Sequence, residues 1–311
     1  MNIFCLLPNE NWIVDRLGFE YKQFSSLNVD TKFNKHKQYD IIWLFGSWCW
    51  KHIDYRILQS HKVVCSIHHI VPRKFNENII KDFLIRDRFV NQYLTYNEET
   101  KNIINKFSTK NVTIIPHWIN DKFWKHYDKN SVREILNIPK DKFIIGSFQR
   151  DTEGFDLKTP KLEKGPDIFV KKVIDISKTK DIHVVLGGYR RNYVIDCLKQ
   201  HNISFTYFEK PHLDIINMLY SSLDLYIISS REEGGPQALF ECAYLKVPFI
   251  TTKTGQYKRL TLLDNVYDEN DFISNDKITK VINNKDKIYE ISKKYFIENI
   301  AQKYDNFFKK V

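Results

Sequence analysis

Apolar and polar positions alternate along this chain in two rhythms. Short β-branched or aromatic runs recur as NIFCLL (2–7), DIIWLF (40–45), KVVCSI (62–67), NQYLTY (91–96) and VTIIP (112–116), then KFIIGSF (142–148), IHVVLGG (182–188), ISFTYF (203–208), LDLYIISS (223–230) and VPFITT (247–252). Runs of five or six apolar residues without alternation suit strands covered on both faces, which means parallel sheets. Helical segments lie between them, so the expected fold class is α/β, twice over. The segment NIPKDK (137–142) contains Pro139 and reads as a linker, dividing the chain into domains at 1–138 and 139–285. In the tail, Ile288, Ile291, Tyr295, Phe296, Ile300, Tyr304 and Phe308 recur close to every 3.6 residues, which predicts one long amphipathic C-terminal helix over 286–311.

Length and composition narrow the class. At roughly 150 residues per domain, 311 residues make about two domains. Hydrophobic residues at 42% are too many for a disordered chain. The longest apolar stretch, IIWLFGSWCW (41–50), is about half of what a bilayer crossing needs, and Met1 leads into a strand pattern without a basic segment, so neither a spanning helix nor a secretory signal is expected. The five cysteines are odd in number and are not spaced as a zinc or redox motif, which suits a reducing cytoplasm and leaves no metal site expected.

The net charge of +10 is compatible with nucleic acid, an anionic membrane surface or a phosphorylated small molecule as partner. Residues 1–140 hold 21 Lys and Arg against 14 Asp and Glu, and the remainder 27 against 24, so the basic excess is amino-terminal. All six tryptophans lie between Trp12 and Trp124, whereas eight of the ten glycines lie between Gly146 and Gly255. The two halves are built differently.

The sharpest pattern is REEGGPQALFECAYLKVPFITTKTG (231–255), directly after a strand. A strand, two serines, the pair Gly234 and Gly235, then Pro236 at a first helical position create a helix start whose N–H groups can hold an anion. Glu233 and Glu241 stand eight residues apart, one before that helix and one about two turns along it.

This string resembles the E-x7-E motif of retaining GT-B glycosyltransferases, especially family 4. NVTIIPHWINDKFW (111–124) is similar to the family's passage before its linker, and GSFQRDTEGFDLKTPKLEKGPDIFVK (146–171) resembles its phosphate clamp with an insertion. The resemblance implies two Rossmann-like domains facing a cleft, with a shortened N-terminal domain and a last helix crossing back to the first domain. It implies a transferase of the hexosyltransferase type that moves a sugar from a nucleotide-diphosphate sugar to a hydroxyl of a glycan or lipid-linked glycan, with retention and without a metal.

Residue by residue, the resemblance gives Glu241 the ribose hydroxyls and Glu233 the transferred sugar. Arg150 and Lys164 neutralise the donor diphosphate, with Lys161 competing for the lysine role. His69 or its neighbour His68 reaches the donor sugar, and Gly187 and Gly188 form the glycine loop after the clamp. The chemistry of the residues agrees, because two fixed cations and helix N–H groups stabilise a departing diphosphate. The absence of any D-x-D string speaks against a manganese-holding fold.

The departures are PNENWIVDRLGFEY (8–21) in place of a glycine-rich loop, and Gln256 where a second glycine is usual. Trp43, Trp48 and Trp50 offer rings for sugar stacking, although most tryptophans are expected in the core. A sugar-nucleotide epimerase or phosphorylase of the same fold is the alternative enzyme. A nucleic-acid-binding or DNA-modifying protein is a further one, with no recognition motif in its favour and no nucleic acid expected. Peripheral contact with an anionic membrane is compatible with the charge.

Overall fold

The computed structural model describes all 311 residues. Eleven strands form two sheets. The first holds β1 (Asn2–Leu6), β2 (Asn28–Asp30), β3 (Ile41–Leu44), β4 (Lys62–Ser66), β5 (Gln92–Thr95) and β6 (Asn111–Ile114), in the order β2-β1-β3-β4-β5-β6. The second holds β7 (Phe143–Ser147), β8 (Ile182–Gly188), β9 (Phe205–Glu209), β10 (Leu225–Ile228) and β11 (Phe249–Thr251), in the order β11-β10-β7-β8-β9. Every pairing is parallel. Each of the ten apolar runs overlaps one of these strands. The strand that periodicity missed is β2, whose three residues Asn-Val-Asp bury one side chain and carry no apolar run.

Burial explains the register. All four side chains of β3 and of β10 are buried, because helices cover both faces of each sheet. In the first unit one face packs Trp43, Tyr21, Trp118, Tyr304 and Phe308, and the other packs Ile42, Val63, Phe83 and Tyr93. Each such large side chain contributes roughly 1.5–3 kcal/mol on leaving water. Helix starts follow the local sequence: Asn76, Asn97, Asp128 and Ser274 each accept backbone N–H bonds of the following turn.

By contacts the chain divides into one unit of Met1–Asn120 with Lys294–Val311, and another of Asp121–Lys293. The segment 137–142 therefore lies inside the second unit. Arg133 explains why: it is buried and donates to Ser222 O at 2.9 Å and to Asp224 Oδ2 at 2.7 Å, tying the helix Lys129–Ile135 to that unit. The tail is not one long helix. Lys285–Ser292 and Ile297–Phe308 are separate helices, because Phe296 is extended and Ile119 N–H donates to Tyr295 O at 2.9 Å, pairing this backbone with Ile119. The first of the two stays in the second unit, where the Tyr289 ring lies 6.0 Å from that of Tyr244. No helix is long and apolar enough to cross a membrane.

Candidate active site

In the second sheet β7 and β10 are neighbours, and the chain runs outward from them in opposite directions. In such a sheet the crevice beyond the carboxyl ends of those two strands is where ligands bind. The residues that emerge there are Phe148, Gln149 and Arg150 after β7, and Ser229 to Glu233 after β10. The sequence motifs therefore converge on this switch point.

Lys164 reaches the same place through Gly165. That glycine has φ 57°, and a Cβ on it would lie 1.9 Å from Ser229 O, so only glycine lets the turn meet the end of β10. The Lys164 carbonyl is fixed by Gln149 Nε2 at 2.7 Å and by Ser229 Oγ at 3.1 Å. Its ammonium forms an ion pair with Glu233 Oε1, which also accepts from Ser230 Oγ at 3.2 Å. Both charged side chains are largely enclosed. Lys161, three residues earlier, stands 3.7 Å from Glu163 Oε1. Arg150 turns onto its own loop, with Nε donating to Thr152 O at 2.7 Å.

Gly235 and Gly255 have a steric reason inside the protein. A Cβ on Gly235 would come within 2.1 Å of Gln256 Nε2, and a Cβ on Gly255, at φ 58°, within 3.0 Å of Glu233 O. Gln256, the residue that departs from the usual glycine, is buried against Gly235. Pro236 is the N-cap of the helix Gln237–Tyr244 and not its first residue, because its ψ of 120° is still extended. Glu241, on that helix, is buried and accepts from Tyr220 Oη at 2.7 Å. Burial, and then the Glu241 carboxylate, push the Tyr220 hydroxyl well above its ordinary pKa.

Gly188 ends β8 at φ 107°, and its carbonyl accepts from Lys210 N at 2.9 Å, beyond the last pair of β8 with β9. Three residues on lies a group that sequence reasoning passed over. Arg191 is 1% exposed and donates from Nε to Asp151 Oδ2 at 2.9 Å, from Nη1 to Gly187 O at 2.9 Å and to Ser147 O, and from Nη2 to Ser147 Oγ at 3.2 Å. It thereby joins the ends of β7 and β8 to the loop that carries Arg150. Asp151 O in turn accepts from Lys161 N at 2.8 Å, closing the hairpin 152–160.

The remaining candidates belong to the first unit. His68 follows β4 and its Nε2 donates to Phe45 O at 2.9 Å; burial pushes its pKa down to about 4, so the ring is neutral near pH 7. His69 is half-buried beside it. Trp43 is fully buried and donates to Ser66 Oγ at 2.8 Å, so its ring stacks on no sugar; Trp48 and Trp50 keep partial exposure.

Among solved structures, the fold matches Anabaena HepE in complex with UDP-glucose, 12% identical with a TM-score of 0.78 over 100% of this chain and 99% of that one. It also matches sucrose-phosphate synthase from Thermosynechococcus elongatus, at 13% identity and TM-score 0.69 over 99% and 88% of the two chains. The pneumococcal O-GlcNAc transferase GtfA, in complex with UDP and GlcNAc, is 15% identical with a TM-score of 0.61 over 87% and 56%. Residues 157–278 match the family model for Glycosyl transferases group 1. The chain has the GT-B fold of the group 1 glycosyltransferases. By sequence no curated protein matches it significantly. In this GT-B chain the family segment takes in Lys161, Lys164, Gly188, Glu233 and Glu241, and Arg150 precedes it.

Proposed function

We propose that this GT-B protein is a retaining glycosyltransferase that moves a hexosyl group from a UDP-sugar to a hydroxyl of a glycan or lipid-linked glycan, without a metal ion. The observation that carries the reading is the meeting of Lys164 and Glu233 beyond the carboxyl end of β10, at the switch point of the second sheet. A departing nucleoside diphosphate gathers negative charge, and preorganised cations and N–H donors stabilise it as it forms. Lys164, Arg150 and the start of the helix Gln237–Tyr244 supply those donors.

In this reading Glu241 takes the ribose hydroxyls and Glu233 a hydroxyl of the transferred sugar. The acceptor oxygen attacks the anomeric carbon on the face that the diphosphate leaves, and its proton passes to the leaving phosphate, so no protein base is assigned. The choice of UDP is supported by the bound molecules of HepE and GtfA. Five free cysteines support a reducing compartment, and the net charge of +10 supports peripheral contact with an anionic membrane that carries the acceptor.

The test is incubation with UDP-glucose and UDP-GlcNAc, with and without EDTA, with product configuration followed by NMR. Slow transfer to water or to added sugar, with retained configuration and indifferent to EDTA, is the expected result. Inverted product, or activity that EDTA abolishes and manganese restores, overturns it.

A further inference from the structure

We propose that Glu233 is the resident occupant of the diphosphate site: its carboxylate holds the Lys164 ammonium until a diphosphate displaces it. Arrival of the donor and release of Glu233 toward the sugar are then a single exchange. The inference rests on the reading above and adds a second role for Glu233.

Three observations lead to it. The Lys164 backbone is fixed at its carbonyl by Gln149 and Ser229, and the Gly165 turn presses it against the end of β10, so the reach of its ammonium is limited to that edge. Glu233 lies five residues beyond β10, and its Oε1 receives both Lys164 Nζ and Ser230 Oγ. Arg150 is likewise satisfied by its own loop, through Thr152 O. Both cations of the clamp are thus engaged by acceptors of the protein itself.

An enclosed ion pair is weakly screened, so breaking it is a real cost to an incoming anion. The apparent affinity for a diphosphate is the intrinsic affinity multiplied by the fraction of molecules in which the pair is open. A diphosphate brings more negative charge to Lys164 than one carboxylate does, so the exchange is favourable. It takes Lys164 away from Glu233, whose carboxylate then accepts from a hydroxyl of the bound sugar beside it. Glutamine at this position keeps the shape and removes the competing charge.

The experiment is calorimetric titration of the full chain with UDP and, separately, with inorganic pyrophosphate, which reports on the clamp without a base. The proteins compared are the parent, Glu233→Gln, Glu233→Ala, Lys164→Met and the double variant Lys164→Met with Glu233→Gln, with circular dichroism as a check on folding. Both Glu233 variants should bind both probes more tightly, by about tenfold. The gain should vanish in the Lys164→Met background, and turnover of UDP-sugar should fall in Glu233→Gln despite the tighter binding.

Unchanged or weaker binding of both probes to Glu233→Gln and Glu233→Ala overturns the proposal while leaving the transferase reading intact, provided UDP binds the parent. A gain for pyrophosphate with no UDP binding supports the exchange and removes UDP as the donor. Failure of both probes to bind every variant overturns both. A gain that persists without Lys164 overturns the exchange, because it would then be general charge removal.

Discussion

The two units start a helix beyond an inner strand in opposite ways. In the first, β1 leads to the helix Ile13–Phe24, and the carboxylate of Asp15 in its first turn accepts from the N–H groups of Asn9 and Glu10, at 2.8 Å each. Asn9 and Asn11 carry the left-handed turn conformations, at φ 57° and 56°. In the second, β10 leads to the helix Gln237–Tyr244, whose cap is Pro236 and whose first turn holds no acidic residue. A helix start favours negative charge. The first unit supplies that charge from its own chain, whereas in our reading the second takes it from the donor. The glycine-poor half thus builds its loop on asparagines and an acid. The glycine-rich half keeps the backbone clear.

Substitutions on either side sharpen this contrast. The largest effect is expected at Arg191, whose loss leaves Asp151 buried and unpaired. Arg191→Met should cost about 3–5 kcal/mol of stability in urea unfolding. Next is Lys164→Ala, which should slow turnover about a hundredfold to a thousandfold in a chain that still folds by circular dichroism. Near-normal turnover there would mean that the diphosphate is held elsewhere and that the contrast is without functional meaning.

Asp15→Ala should remove about 1–2 kcal/mol of stability and leave UDP affinity as it was. A matching loss of UDP affinity would show that the first unit's acid also serves the donor. The smallest effect concerns pH. His68 titrates near 4 in the folded protein and near 6.5 when unfolded, so between these values the unfolded chain binds more protons. Its contribution to stability is complete above about pH 6.5 and is lost as pH falls toward 4, by at most ~1.4 kcal/mol per pH unit. Unfolding measured at pH 7 and pH 5 for the parent and for His68→Phe should differ by this slope; equal slopes would remove the assignment.

The sequence announces what repeats and what is chemically costly. Uninterrupted apolar runs marked every strand except β2, and the scarcity of glycine made Gly234 and Gly235 stand out. Arg191 was invisible, because a buried guanidinium with four acceptors and a surface arginine are written with the same letter. Only the tertiary positions of Ser147, Asp151 and Gly187 separate them. Gln256 read as a departure, yet its side chain fills the space that Gly235 leaves. The break at Phe296 was hidden for a similar reason: its apolar spacing continues the helical stripe, while Ile119, far away in sequence, decides the backbone.

That break has a consequence for synthesis. Residues 121–293 form a contiguous unit, while the first unit needs both the opening 120 residues and the last stretch from Lys294. Asp305 receives Tyr21 Oη at 2.8 Å, Ser25 Oγ at 2.6 Å and the N–H and hydroxyl of Ser26 at 2.7 Å each, so the helix Ile13–Phe24 finds its polar partner in a segment made only after the whole second unit. Until then Tyr21 and Trp43 lack Tyr304 and Phe308 as a cover. The order of emergence thus gives the later-encoded unit the first chance to complete its fold. The amino-terminal half waits, partly uncovered, and is the part of a nascent chain that a chaperone would meet.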